Sequence, residues 1–148
     1  MATKCTGQLK SQLDALNESC ELFASTFHAW KAQGAAGEFD SYLFGKDGAY
    51  VKPTVDGNPY LLRHVHLVPL KDIEKKSLWD KLWMRRSRRT SDRVLVYASG
   101  SSVDHLLIYI LEEPEAHAIA EMRTPEDKAL MARFAQVAAA FLFDGTVL

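Results

Sequence analysis

The sequence predicts a small α+β fold, an antiparallel sheet packed by helices from both ends of the chain. Three observations predict it. Leu9, Leu13, Leu16, Cys20, Phe23, Phe27 and Trp30 recur at spacings of four and three, the period of one helix face. RVLVYASG (93–100) and VDHLLIYILEEP (103–114) are nearly continuous apolar runs joined by a short link, as in a hairpin of buried strands. Thr124-Pro125-Glu126-Asp127 opens a last apolar-striped segment with the chemistry of a helix start.

In chain order, the first stripe predicts one long amphipathic helix over about residues 7–33, ended by Gly34 and Gly37. It has two readings: a cover for the sheet, or a pairing seam for a second copy or a partner. Residues 39–60 are rich in Gly, Asp, Asn and Pro, and both Lys46-Asp47-Gly48 and Asp56-Gly57-Asn58-Pro59 read as turns. LLRHVHLVPL (61–70) reads as a strand stopped by Pro69. KDIEKKSLWDKLWMRR reads as a helix with Leu78, Trp79, Leu82 and Trp83 as its stripe. The two apolar strands follow, the second of them central, with Gly100-Ser101-Ser102 as their turn. EPEAHAIAEM is a short helix or a loop. The final helix buries Leu130, Phe134, Val137 and Phe141 and stops at Gly145.

With 148 residues, 47% of them hydrophobic, the chain suits one domain that buries about two-thirds of its unfolded surface. Two cysteines are too few for a disulfide framework, and no uninterrupted apolar run is long enough for a membrane span. The expectation is a soluble cytoplasmic protein. The net charge of −1 conceals a split: residues 71–93 hold nine Lys/Arg and four Asp/Glu, whereas residues 104–148 hold three and eight. A cationic face for an anionic ligand is expected from such a split.

Two constellations offer chemistry. His64 and His66 lie two apart on a strand and so share a sheet face. They read as a structural pair, as proton-transfer groups, or as metal ligands, though no spacing supplies a third ligand. Five arginines crowd residues 85–93, close to Trp79 and Trp83. Guanidinium groups grip phosphates and indoles stack on unpaired bases, which points to RNA. RNA cleavage needs a base for the 2′-hydroxyl, cations for the crowded phosphorane and an acid for the leaving oxygen, and all three kinds of group are present.

FGKDGAY (44–50), RHVHLVPL (63–70), RRTSDRVLVYASG (88–100) and HLLIYILEEPEAHAIA (105–120) resemble, in this order, the motifs of the YafO family of bacterial type II toxins. The resemblance covers about residues 20–143. It implies a RelE-like α+β fold and a ribosome-dependent mRNA interferase that needs no cofactor. It implies as partners the ribosome, mRNA and a cognate antitoxin. Two departures stand out: a long segment between His66 and Arg89, and an extended N-terminal helix.

Carried onto these motifs, Arg89 with Arg88 would stabilise the phosphorane, His66 or His64 would be the base, and His117 or Tyr97 the acid. Asp92 would orient Arg89, and Asp47 is a turn-former. Lys81, Arg85, Arg86, Arg93 and Trp83 would hold RNA alongside Arg88. No metal site is expected. The alternatives are a non-catalytic RNA- or ribosome-binding inhibitor of translation, and a structural module that forms a homodimer through its N-terminal helix.

Overall fold

A computed structural model describes residues 3–100 and 104–148. The turn at Ser101 and Ser102 lies outside the described residues. Strand β1 (Thr3–Cys5) leads into helices α1 (Gly7–Ala15) and α2 (Cys20–Ala32), then a 3₁₀ turn at Gly34–Gly37. Strands β2 (Phe44–Ala49) and β3 (Arg63–Leu67) precede helix α3 (Ile73–Met84). Strands β4 (Val94–Ser99) and β5 (His105–Leu111) are followed by helices α4 (Ala116–Ala120) and α5 (Pro125–Asp144).

The strands make one sheet in the order β1-β5-β4-β3-β2. Every neighbour is antiparallel except β1, which runs parallel to β5. The α+β architecture is as expected, but the sheet is mixed because the three-residue β1 adds a parallel edge. β5 is internal, as its unbroken apolar run requires.

Period-2 alternation divides the core between two faces. Leu95 and Tyr97 of β4 join Val65, Leu67, Leu107 and Ile110 beneath α1 and α2, packed by Leu9, Leu13, Phe27 and Trp30. Val94, Val96 and Ala98 face the other way and meet Met131, Phe134, Ala135 and Ala138 of α5. Each fully buried leucine or aromatic contributes about 1.5–3 kcal/mol, so both helix layers are held chiefly by this contact.

The long N-terminal helix is two helices. Asn17 takes a left-handed φ of 57°, and the Ser19 side chain accepts from the Leu22 N–H to start α2 afresh. The stripe still covers the sheet, since Leu9, Leu13, Phe27 and Trp30 are buried, but Leu16 lies at the break and is exposed. Lys46, Asp47 and Gly48 lie inside β2 rather than in a turn. The second turn stands as expected, with Asp56 and Gly57 both at positive φ between the bridged Val55 and Asn58.

In α3 only Trp79 is buried, while Leu78 is exposed, so the expected four-residue stripe is narrower. In α5 the Thr124 side chain accepts from Asp127 N–H, Pro125 sits at the first position, and Gly145 closes the helix at φ 78°. Its buried face centres on Phe134 and includes Met131 and three alanines; Leu130, Val137 and Phe141 pack at its margin. Among the described residues no helix is long and apolar enough to cross a membrane.

Candidate functional site

β3 is the strand that carries functional groups to both faces. His64 pairs with Val96 and His66 with Val94, so both imidazoles stand on the face that β4 gives to α5. α5 packs over β4 and β5, which leaves the rings on β3 half-buried beside it. The ring centroids are 5.8 Å apart. Tyr50 stacks on His64 at 4.0 Å and 10°, and the enclosed Nδ1 of His64 has no hydrogen-bond partner. Burial, reinforced by the neighbouring His66, pushes the His64 pKa down to about 4. Asp47 opposes that shift, whereas Arg63 and Lys46 add to it.

His66 is held differently. Its Nδ1 lies 2.7 Å from the carbonyl oxygen of Ser91 and 3.0 Å from the Ser91 N–H. One nitrogen cannot donate and accept at once, and on the shorter contact we assign Nδ1–H as donating to the carbonyl. This tautomer leaves the Nε2 lone pair for a proton. Burial lowers the pKa of His66, with Lys46 and His117 acting in the same direction and Ser91 and Asp92 against it. At neutral pH both imidazoles are therefore uncharged bases.

Asp92 brings a third histidine to this edge. Its Oδ1 accepts the backbone N–H of His117 at 2.6 Å and so ties the segment before β4 to the start of α4. The His117 ring is exposed, with Nε2 at 2.9 Å from the Glu121 carboxylate. Asp92 positions α4, not Arg89. Lys46 is an exposed β2 residue, and its charge acts on both His64 and His66. Strand alternation would have found it, because Gly48 pairs with His64 and Lys46 lies two residues away.

Arg89 occupies another place. It is 1% exposed, and its guanidinium donates to the carbonyls of Tyr42, Ser41 and Phe44 at 3.0, 2.7 and 3.2 Å. Trp79 and Trp83 sandwich it at 5.0 and 4.9 Å. Gly45 permits this packing, since a Cβ there would sit 2.3 Å from the Arg89 carbonyl oxygen. Trp83 is thus engaged with Arg89 and Tyr42. Arg93 is also buried and paired with Glu112 at 2.8 Å. Neither arginine presents its guanidinium to a phosphate, and the expected gathering of Arg89 with the histidines over one surface is not found. Arg86 and Arg88 are exposed and paired with Asp40 and Glu38, while Lys81 and Arg85 stand exposed on α3 and its C-cap.

Tyr97 lies across the sheet from the histidines. Its hydroxyl donates to Asp47 at 2.5 Å and accepts from Arg63 Nε at 3.1 Å and Lys31 Nζ at 3.3 Å. Lys31 also pairs with Asp47 at 2.9 Å. Tyr97 is fully buried, and burial together with Asp47 raises its pKa, so this hydroxyl keeps its proton and organises the network. Sequence reasoning singled out neither Lys31 nor Arg63. No short motif announces such a network, whose members are 16 to 66 residues apart.

Among the described residues, no three His, Cys, Asp or Glu side chains are placed to hold a metal ion. No curated protein and no solved structure matches the chain. A family model, that of the YafO toxin of type II toxin–antitoxin systems, matches residues 28–143. That span contains β2 to β5 and every histidine described above, and the chain therefore belongs to the YafO toxin family, whose members are paired with an antitoxin.

Proposed function

We propose that this toxin cleaves messenger RNA on the translating ribosome by acid–base chemistry along the histidine edge of β3. The observation that carries the reading is His66: half-buried, with its pKa lowered by burial, and held at Nδ1 by Ser91, an arrangement assigned to the tautomer that leaves Nε2 as a base. His66 Nε2 takes the proton of a ribose 2′-hydroxyl. The 2′-oxygen attacks the adjacent phosphorus, and the bond from phosphorus to the 5′-oxygen breaks. His117 gives its proton to that leaving oxygen, and the products are a 2′,3′-cyclic phosphate and a 5′-hydroxyl. Exchange with water then resets both imidazoles.

Lys46, beside both β3 histidines, takes the charge-stabilising role for which Arg89 is not placed. His64 contributes by packing: uncharged and stacked on Tyr50, it keeps the neighbourhood of His66 apolar. Lys81 and Arg85 supply phosphate contacts on the flank. The ribosome would present the message and complete the cation field, which explains how so few free cations near His66 suffice.

Mapping 5′ ends of messages from cells expressing the toxin tests this. New 5′-hydroxyl ends within coding regions are expected, and far less cleavage of the same RNA without ribosomes. Intact messages with halted translation would overturn cleavage and favour occlusion of the ribosome instead.

A further inference from the structure

We propose that the cleft next to Asp92 receives the base of a ribonucleotide and prefers bases that carry an exocyclic amino group over uracil. The inference rests on the RNA-cleavage reading and adds what the site recognises. The cleft holds about 260 Å³, just below the range of small-molecule sites (~300–1,000 Å³), which suits one ring system rather than a large cofactor. Pro69 and Pro114 give it apolar walls against which a flat base can lie, and Lys71 and Lys75 stand exposed at its margin.

The carboxylates in the lining are not equivalent. Glu113 is spent, since its two oxygens accept the N–H groups of Leu70 at 2.7 Å and Asp72 at 3.0 Å. Asp72 Oδ1 caps α3 by accepting from Lys75 N–H at the helix end of the cleft, and its Oδ2 has no partner among the described residues. Asp92 gives only Oδ1 to His117, and among the described residues its Oδ2 has no protein partner. An unpartnered carboxylate oxygen beside an apolar slot accepts an N–H from a base edge, and that of Asp92 is the one next to the histidine edge. Adenine N6 and cytosine N4 supply such a donor, as guanine does through N2, whereas the one donor of uracil, N3–H, is flanked by O2 and O4, whose lone pairs repel the carboxylate.

Position joins this cleft to the proposed chemistry. Asp92 lines the cleft, bonds the backbone of His117, and its charge acts on His66. A base seated against Asp92 places its own ribose and phosphate at the histidine edge, and the lysines take the next phosphate. The pocket is thereby a candidate selector of the nucleotide at the cut.

The test is a titration of the His66→Gln chain with AMP, CMP, GMP and UMP, followed by amide chemical shifts. Saturable shifts at Lys71, Asp72, Asp92 and Glu113 are expected with the amino-bearing nucleotides, and binding of UMP weaker by about fivefold or more. Asp92→Asn keeps an oxygen for the His117 N–H but presents an N–H where Oδ2 stood, so the preference should swing toward UMP. Lys71→Ala with Lys75→Ala should weaken all four nucleotides alike, by about tenfold. It decides the matter with the wild-type ranking if Asp92→Asn does not fold. Equal binding of all four, no saturable shift, or shifts confined to another surface would overturn the inference. Because the titration reads binding alone, a failure of cleavage leaves its result standing, and messages cut without base preference in the titration sink this inference only.

Discussion

The arginine segment and the histidine strand differ in what the fold has left free. Between residues 85 and 93, Arg89 is stacked between two indoles and bonded to three carbonyls, and Arg93 is paired with Glu112. On β3, His64 and His66 make few polar bonds, remain uncharged, and lie half open beside α5. The densest charge in the sequence mostly stabilises the loop that carries it. Chemistry is available where polar groups are sparse and their environment holds them neutral. Charge density in a sequence measures supply, and only the hydrogen-bond inventory shows what remains for a ligand.

The comparison breaks most visibly at Arg89. Removing it takes a donor from the carbonyls of Ser41 and Phe44, leaves that of Tyr42 to the Trp79 indole N–H, and opens a gap beside Trp79 and Trp83. Arg89→Ala should cost about 3–5 kcal/mol of stability. Thermal unfolding checks this, and an unchanged melting temperature would make Arg89 a ligand-facing group after all. Tyr97→Phe removes a hydroxyl that serves Asp47, Arg63 and Lys31, and a loss of about 1–3 kcal/mol is expected in denaturant unfolding. A loss of cleavage at full stability would instead move the chemistry to the α2 side of the sheet.

The histidine face should show its neutral imidazoles in the pH dependence of stability. His64 titrates near 4 when folded and near 6.5 when unfolded. Between those values the unfolded chain holds more protons, so stability falls as pH drops through that window and is flat above pH 7. The fall should be on the order of 2 kcal/mol, and His64→Leu should remove much of it. An equal acid limb in that variant would mean that His64 is not the group responsible. The smallest effects belong to the free cations. Lys81→Ala and Arg85→Ala should leave stability within about 0.5 kcal/mol, while each lowers the salt dependence of RNA binding by about one phosphate contact. Unchanged salt slopes would remove both from the RNA path.

What the sequence disclosed follows from locality. The α5 start is written in Thr124-Pro125-Glu126-Asp127, and its end in Gly145, because capping is decided within one turn. The His64–Val65–His66 alternation likewise depends only on the strand period. The break at Asn17 was hidden, since the stripe resumes in phase after it; Asn17 followed by Ser19 was the faint signal. β1 is too short to carry a pattern and is defined only by its pairing with β5. Trp79 and Trp83 have the spacing of a platform for bases, yet residues one turn apart on a helix also hold the chain's own arginine. Nothing local distinguishes those uses. The Asp92–His117 contact spans 25 residues and depends on how two loops meet, which no motif encodes.

The most direct measurement is end mapping of messages from cells expressing His66→Gln, beside the thermal unfolding of the same purified chain. The account predicts an unfolding temperature close to that of the parent and new 5′ ends reduced by roughly 10²–10⁴-fold. A stably folded His66→Gln chain that cuts messages as fast as the parent would contradict it.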